Sequence, residues 1–333
     1  MSLSPSRTAA RPLSGVPFLV VAGLLWGTGG LFGRLLAEQS GMSSIAVATF
    51  RLGVGGLLIC GYLLATGRRV PATAAAWRRV AVIGALAALF QGCYFAVVTL
   101  TTVSTATLVT IGSAPVLVLL AERLTGRGRP GVRSVLAVGL ALAGLALLVG
   151  LPSDGAGNVV AGALLAVVSG AGFAAMTLVS ARPVPGLDAP TCTGVAFVLG
   201  GALLVPVGLI ASPAGLGFAV SPASVALLLA LGIVPTALAY SAFFRGLRTA
   251  PARVGALLAL LEPLTAAVLA ALLLGDRLGA TGIVGAALLG VAVVLGSAHQ
   301  PRGRGGADQP RGRGGADQPR GRGGADQPRE RSA

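Results

Sequence analysis

Ten apolar runs, each of 17–22 residues, constrain this chain more than any other feature of its sequence. They cover 17–36, 45–66, 80–99, 103–120, 135–151, 159–180, 193–211, 224–244, 254–274 and 280–297, with short charged or Pro- and Gly-containing stretches between them. An α-helix rising about 1.5 Å per residue needs about 20 such residues to cross a hydrocarbon core about 30 Å thick. Each run is expected to be a spanning helix, because hydrocarbon offers no partner to an unpaired backbone N–H or C=O. Composition agrees: 54% of the 333 residues are hydrophobic and 11% are charged, about half the charge of an ordinary soluble domain. The expected fold class is all-α integral membrane.

The formal charge of +15 comes from arginine alone, since the chain has no lysine. Such a balance can mark a nucleic-acid binder, but here the arginines lie mostly in the loops and beyond Gln300, which reads as topology and not as nucleic-acid binding. With a cytoplasmic N-terminus, the inside segments hold Arg7 and Arg11, Arg68 to Arg79, Arg123 to Arg133, Arg182, and Arg245 to Arg253. The outside loops then hold only Arg34 and Arg277. The positive-inside rule places both termini in the cytoplasm of a bacterial-type inner membrane. Residues 1–14 lack a short apolar core with a cleavage site, so the first run is expected to be an uncleaved helix.

An internal repeat arranges the ten runs. Aligning Pro115 with Pro263 sets Tyr94 and Tyr240 at 21 and 23 residues upstream, and each Pro leads to an acid-Arg-Leu ending, Glu122-Arg123-Leu124 and Asp276-Arg277-Leu278. Beyond these, Gly139 and Gly144 match Gly285 and Gly290, a spacing that suits close helix approach. The chain thus divides into an N-terminal segment 1–16, five-helix repeats 17–151 and 157–297, and a tail 298–333. Five crossings per repeat turn the second copy upside down, an inverted-topology plan typical of secondary transporters. The fourth run, about 18 residues or about 27 Å long, is slightly short of the hydrocarbon core, and the ninth is longer. The tail repeats Pro-Arg-Gly-Arg-Gly-Gly-Ala-Asp-Gln from Pro301, Pro310 and Pro319, a composition expected to be disordered and able to meet anionic headgroups.

Charges inside the runs are the first candidates for function. Glu262 falls near the middle of the ninth run, where an ionised side chain costs about 2.5–3.5 kcal/mol on insertion scales. It is expected to face the protein interior, either meeting a cationic substrate group or a coupling proton, or tying helices together. Pro263 follows and frees a carbonyl one turn earlier; Pro263 and Pro115 are the expected hinges. Arg51 lies about two turns inside the second run and suits a substrate carboxylate or a helix end, whereas Arg34 can snorkel to the interface. Trp26 and Thr28, Gln91 and Tyr94, Thr107 and Thr110, and Tyr240 add polar groups to the spans. Gln91 and Tyr94, three residues apart, share a helix face.

Enzymatic or ATP-driven chemistry finds little here. His299, the only histidine, lies at the end of the last run, which removes His-based triads and metal centres from the core. There is no GxxxxGK[ST] loop, and Cys60, Cys93 and Cys192 sit apart within apolar spans as inert thiols. No cofactor or metal is expected.

Leu24-Leu25-Trp26-Gly27 followed by Arg34, Ala48-Thr49-Phe50-Arg51, Leu261-Glu262-Pro263-Leu264-Thr265, Gly275-Asp276-Arg277-Leu278 and the Gly-spaced last run occur in one chain. Together they resemble the EamA branch of the drug/metabolite transporter superfamily over roughly residues 15–298. The resemblance implies a ten-helix carrier that exports amino acids or related metabolites without ATP. Ala114 stands where the second half has Glu262, so the first half does not repeat the acid. The leading expectation is a secondary transporter of a small polar metabolite, an amino acid or analogue, with Glu262, Arg51, Trp26, Gln91, Tyr94, Thr110 and Tyr240 around substrate or coupling proton. Export of cationic or amphipathic toxic compounds is the alternative, and a non-transporting scaffold acting through the tail is a third reading.

Overall fold

The computed structural model describes residues 15–69, 71–101, 103–126, 130–150, 159–212, 215–273 and 279–297. Among them, ten helical spans are long and apolar enough to cross a membrane. The first seven are α1 (Val16–Ser40), α2 (Ser44–Ala65), α3 (Ala74–Leu100), α4 (Val103–Leu124), α5 (Val132–Val149), α6 (Val159–Ser180) and α7 (Ala189–Ala211). The eighth joins α8 (Pro222–Gly232), a π-helical turn (Ile233–Leu238) and α9 (Ala239–Gly246). The ninth is broken into α10 (Ala252–Leu258) and α11 (Leu261–Leu273), and α12 (Ala280–Ser297) is the tenth. The single bridge between Val184 and Leu187 is the only β-pairing among the described residues. The tail, Asp276, Arg277 and His299 lie outside them.

Several ends follow from local chemistry. The Ser43, Thr73 and Asp188 side chains accept the backbone N–H groups of Ala46, Ala76 and Thr191, satisfying donors left free at the starts of α2, α3 and α7. The cap at Thr73 starts α3 six residues before its apolar run, so Arg78 and Arg79 are helical and not in the loop. Gly41, at φ 68°, closes α1 in a left-handed conformation that glycine adopts without a Cβ penalty.

Two expectations about length need correction. The fourth helix has 22 residues and is not short, since it continues through Glu122 and Arg123 to Leu124. A cation 131 residues away makes this extension tolerable: Arg253 Nη1 donates to Glu122 Oε2 at 3.2 Å, so the buried acid has its counter-charge. The ninth helix is not one long rod but segments of 7 and 13 residues separated by Ala259 and Leu260.

Small residues set the packing. A Cβ on Gly144 would lie 2.8 Å from the Gly285 carbonyl oxygen, and one on Gly285 2.6 Å from that of Gly144, so α5 and α12 meet backbone to backbone. Dispersion and close fit hold helices together where lipid removes the usual hydrophobic drive. Gly139 and Gly290, paired with these by the sequence repeat, face open space instead. The main core gathers Trp26, Phe173, Phe197, Tyr240 and Phe243. Leu64, Ile210, Leu272 and Val160 are exposed on the helix surfaces, an apolar periphery that suits hydrocarbon as solvent.

Candidate functional site

Both broken spans lean on α1. A Cβ on Gly23 would lie 2.6 Å from the Leu258 carbonyl oxygen, and one on Gly27 2.9 Å from that of Glu262, so the helix passes directly against the break in the ninth span. One on Gly29 would meet Pro235 Cβ at 3.3 Å and Arg51 Nη1 at 3.7 Å, beside the π-helical turn. Glycine is required because the Leu258 carbonyl oxygen stands opposite Gly23, and the Thr265 β-carbon together with the Glu262 carbonyl oxygen stands opposite Gly27, atoms fixed to the backbone that cannot swing aside.

Proline accounts for each irregularity. Pro263 has no N–H to give the Ala259 carbonyl, which accepts instead from the Glu262 N–H at 3.0 Å, a bond one residue tighter than the α pattern. Glu262 therefore occupies the first turn of α11 and not mid-helix as the sequence suggests. There the positive end of the helix dipole favours its charge. Pro235 likewise gives no N–H to the Leu231 carbonyl, and the Thr236 hydroxyl donates to it at 2.8 Å. Pro115, by contrast, lies within an uninterrupted α4.

Arg51 meets the π-helical turn. Its Nε donates to Thr236 Oγ1 at 3.2 Å and its Nη2 to the Pro235 carbonyl at 3.4 Å. Arg51 and Glu262 are near enough for their charges to act on each other, and both act on Tyr94 and Tyr240. Among the described residues the Glu262 carboxylate has neither a hydrogen bond nor an ion pair closer than 4.0 Å. Tyr94 shares a hydrogen bond with Thr107, 3.0 Å between oxygens. Trp26 is buried with its ring centroid 4.8 Å from Tyr240, 4.8 Å from Phe243 and 5.8 Å from Phe173.

Three of the candidate groups, on α1, α3 and α4, are buried without a partner: Trp26 Nε1, Gln91 Nε2 and Thr110 Oγ1. Leaving such a group unmet costs about 1–3 kcal/mol, so each orphaned donor invites a ligand or water. Arg34 stands apart, its Nε on Glu38 Oε1 at 2.8 Å along an exposed stretch of α1. Thr28 bonds its own helix at the Leu25 carbonyl. No group of three or more His, Cys, Asp or Glu among the described residues could hold a metal.

Sequence reasoning missed Thr236 and the π-helical turn. Their one signal was a proline, Pro235, inside an apolar run. It also missed Gly23, Gly27 and Gly29, although the spacing of Gly23 and Gly27 is a small-residue helix-contact pattern.

The sequence model of the EamA-like transporter family matches residues 13–150 and again 160–297. The chain is 32% identical over 292 residues to the Uncharacterized transporter YwfM of Bacillus subtilis (strain 168), covering 84% of this chain and 93% of that protein. It is 26% identical over 291 residues to the Uncharacterized inner membrane transporter YicL of Salmonella typhimurium, covering 85% and 95%. One solved crystal structure is similar in fold, with a TM-score of 0.71 at 21% identity over 85% of this chain and 96% of the other.

Proposed function

Because this chain belongs to the EamA-like transporter family, matched once in each half, we infer that it works as a secondary carrier moving a small polar metabolite, an amino acid or analogue, outward across the cell membrane. At the coarser level it is a multi-pass membrane transporter, and its partners are a small-molecule substrate and the lipid bilayer.

The observation that carries the finer reading is the placement of Glu262. An unpaired carboxylate sits in the first turn of a half-helix, within electrostatic reach of Arg51 and two tyrosines. Broken spans bring helix ends to membrane depth, where irregular backbone survives only against protein or a water-filled path. Glu262 would receive an ammonium group or coupling proton, and Arg51 a carboxylate. Trp26, Gln91 and Thr110 would supply the remaining hydrogen bonds.

Supporting alternating access, the Arg253–Glu122 pair ties α10 in the second half to α4 in the first on the arginine-rich side, which we read as cytoplasmic. Five crossings per half make the repeats inverted, so opening would require the two halves to rock apart at that tie.

A second reading, export of cationic amphipathic compounds, is favoured by the ring cluster of Trp26, Tyr240, Phe243 and Phe173 near Glu262. Aromatic faces attract cations by about 0.5–2 kcal/mol. Proteoliposomes separate the two: counterflow of labelled amino acids, against uptake of lipophilic cations, each with and without a pH gradient. Amino-acid counterflow supports the first reading, and lipophilic-cation transport alone would replace it with the second.

A further inference from the structure

Away from the Glu262 site, a small open cavity lies between the start of α3, the turn joining α6 to α7, and the end of α9. Arg79, Arg182 and Arg248 line it, with Ser180 and Asp188. The acid does not balance the three cations. Asp188 Oδ2 is paired with Arg68 Nη1 at 3.2 Å, and its Oδ1 accepts the Thr191 N–H at 2.8 Å.

Arg79 has a separate task that prepares the cavity for an anion. Its Nη1 donates to the Val179 and Arg182 carbonyls, each at 2.6 Å. The Val179 carbonyl lies in the last turn of α6 and that of Arg182 just beyond it, where the helix's partial negative charge would repel an anion, and the guanidinium covers it. Arg182 and Arg248 are exposed, with no side-chain partner among the described residues, and the buried Ser180 hydroxyl is also unpaired. Arg182, Arg248 and Ser180 thus bring two free guanidinium groups and a hydroxyl donor to the lining of one cavity, a donor set that matches the oxygens of a phosphate group.

We propose that this cavity is a binding site for a phosphate-bearing anion, the headgroup of an anionic phospholipid such as phosphatidylglycerol being the source that fits best. A helix-end position at the membrane boundary puts a headgroup within reach, and basic pockets between helices at the cytoplasmic side bind such lipids. The apolar Pro183 and Val184 on the same wall, exposed and half-buried, can lie along the lipid's glycerol and upper acyl chain. The site does not depend on what the carrier transports.

Native mass spectrometry of the purified full chain tests it, after delipidation and titration with phosphatidylglycerol, with phosphatidylcholine as the uncharged control and inorganic phosphate as competitor. Wild type should retain at least about fivefold more phosphatidylglycerol than phosphatidylcholine. Arg182→Gln with Arg248→Gln should abolish the preference, and Ser180→Ala should weaken it. These side chains carry no structural bond, so the variants should fold, as their melting temperatures would verify. Retention that millimolar phosphate leaves intact identifies the lipid as the ligand, and displacement by phosphate identifies a soluble phosphate compound at the same site. Equal retention of both lipids without phosphate binding, or a preference that survives the double substitution, would overturn the proposal.

Discussion

Arg51 and Thr236, 185 positions apart in sequence, share a hydrogen bond from Nε to Oγ1 of 3.2 Å that ties α2 in the first half to the π-helical turn in the second. Thr236 passes the link on to the Leu231 carbonyl left free by Pro235. Arg51→Lys keeps the charge but loses the guanidinium fork, and Thr236→Val loses both hydroxyl bonds. Each substitution is expected to cost about 1–2 kcal/mol in melting experiments in detergent. The double variant should cost less than the sum, with a coupling of at least about 0.5 kcal/mol. Strict additivity would mean that the two side chains do not act together.

Gly144 and Gly139 lie on the same helix but meet different surroundings. A Cβ at 144 would lie 2.7 Å from the Leu289 backbone nitrogen, and one at 139 meets nothing within 4 Å. Gly144→Val should lower the yield of folded protein and destabilise it by about 2 kcal/mol or more, whereas Gly139→Val should change little. Fluorescence-detected size exclusion with thermal challenge reads both. Equal tolerance would show that α5 and α12 do not meet at Gly144.

Breaking the Glu122–Arg253 pair should destabilise the chain, because the acid side chain is 11% exposed and the arginine 27%. Glu122→Gln leaves Arg253 able to turn toward solvent, so about 1–3 kcal/mol is expected, at the low end for a pair this accessible. If the pair closes the cytoplasmic side, the same variant should also make cysteines introduced near Leu257 more reactive to a thiol reagent added from that side. Unchanged labelling at reduced stability would leave the pair as a structural tie only.

Topology provides a test independent of substrate. Reporter fusions after Arg69, Arg129, Arg182, Arg248 and Gln300 should read cytoplasmic, and fusions near Gly41, Asp154, Ser212 and Gly279 external. Reversal of the second-half set alone would contradict the inverted arrangement of the repeats.

Much of the architecture was legible because lipid enforces a simple code. Length and apolarity alone define the ten spans, and Pro263 announces a break one turn upstream, at Ala259. What was not legible depended on partners distant in sequence. The end of α4 was hidden because Arg253, its neutralising cation, is 131 residues on, and a helix carrying an acid looks finished without it. Glu262 keeps its expected place at the middle of the ninth span, but its position at the start of α11 was not legible, since periodicity cannot distinguish one long helix from two shorter ones in line. Arg51 was visible as an intramembrane charge, but Thr236 was not visible as its partner, because a threonine in an apolar run carries no mark of what reaches it. The glycines of α1 were legible in spacing and were passed over because the repeat drew attention to those of α5 and α12.

The account turns on Glu262 as the group that meets substrate or coupling proton, and Glu262→Gln tests this most directly. The amide keeps size and hydrogen-bonding capacity but neither titrates nor offsets a positive charge in a medium of low dielectric. Initial transport rates in proteoliposomes, from about pH 5 to about pH 8, should fall at least about tenfold in this variant while melting temperature and expression match wild type. Transport at the wild-type rate across that range, with normal expression, would contradict the account and assign Glu262 to holding α11 against its neighbours.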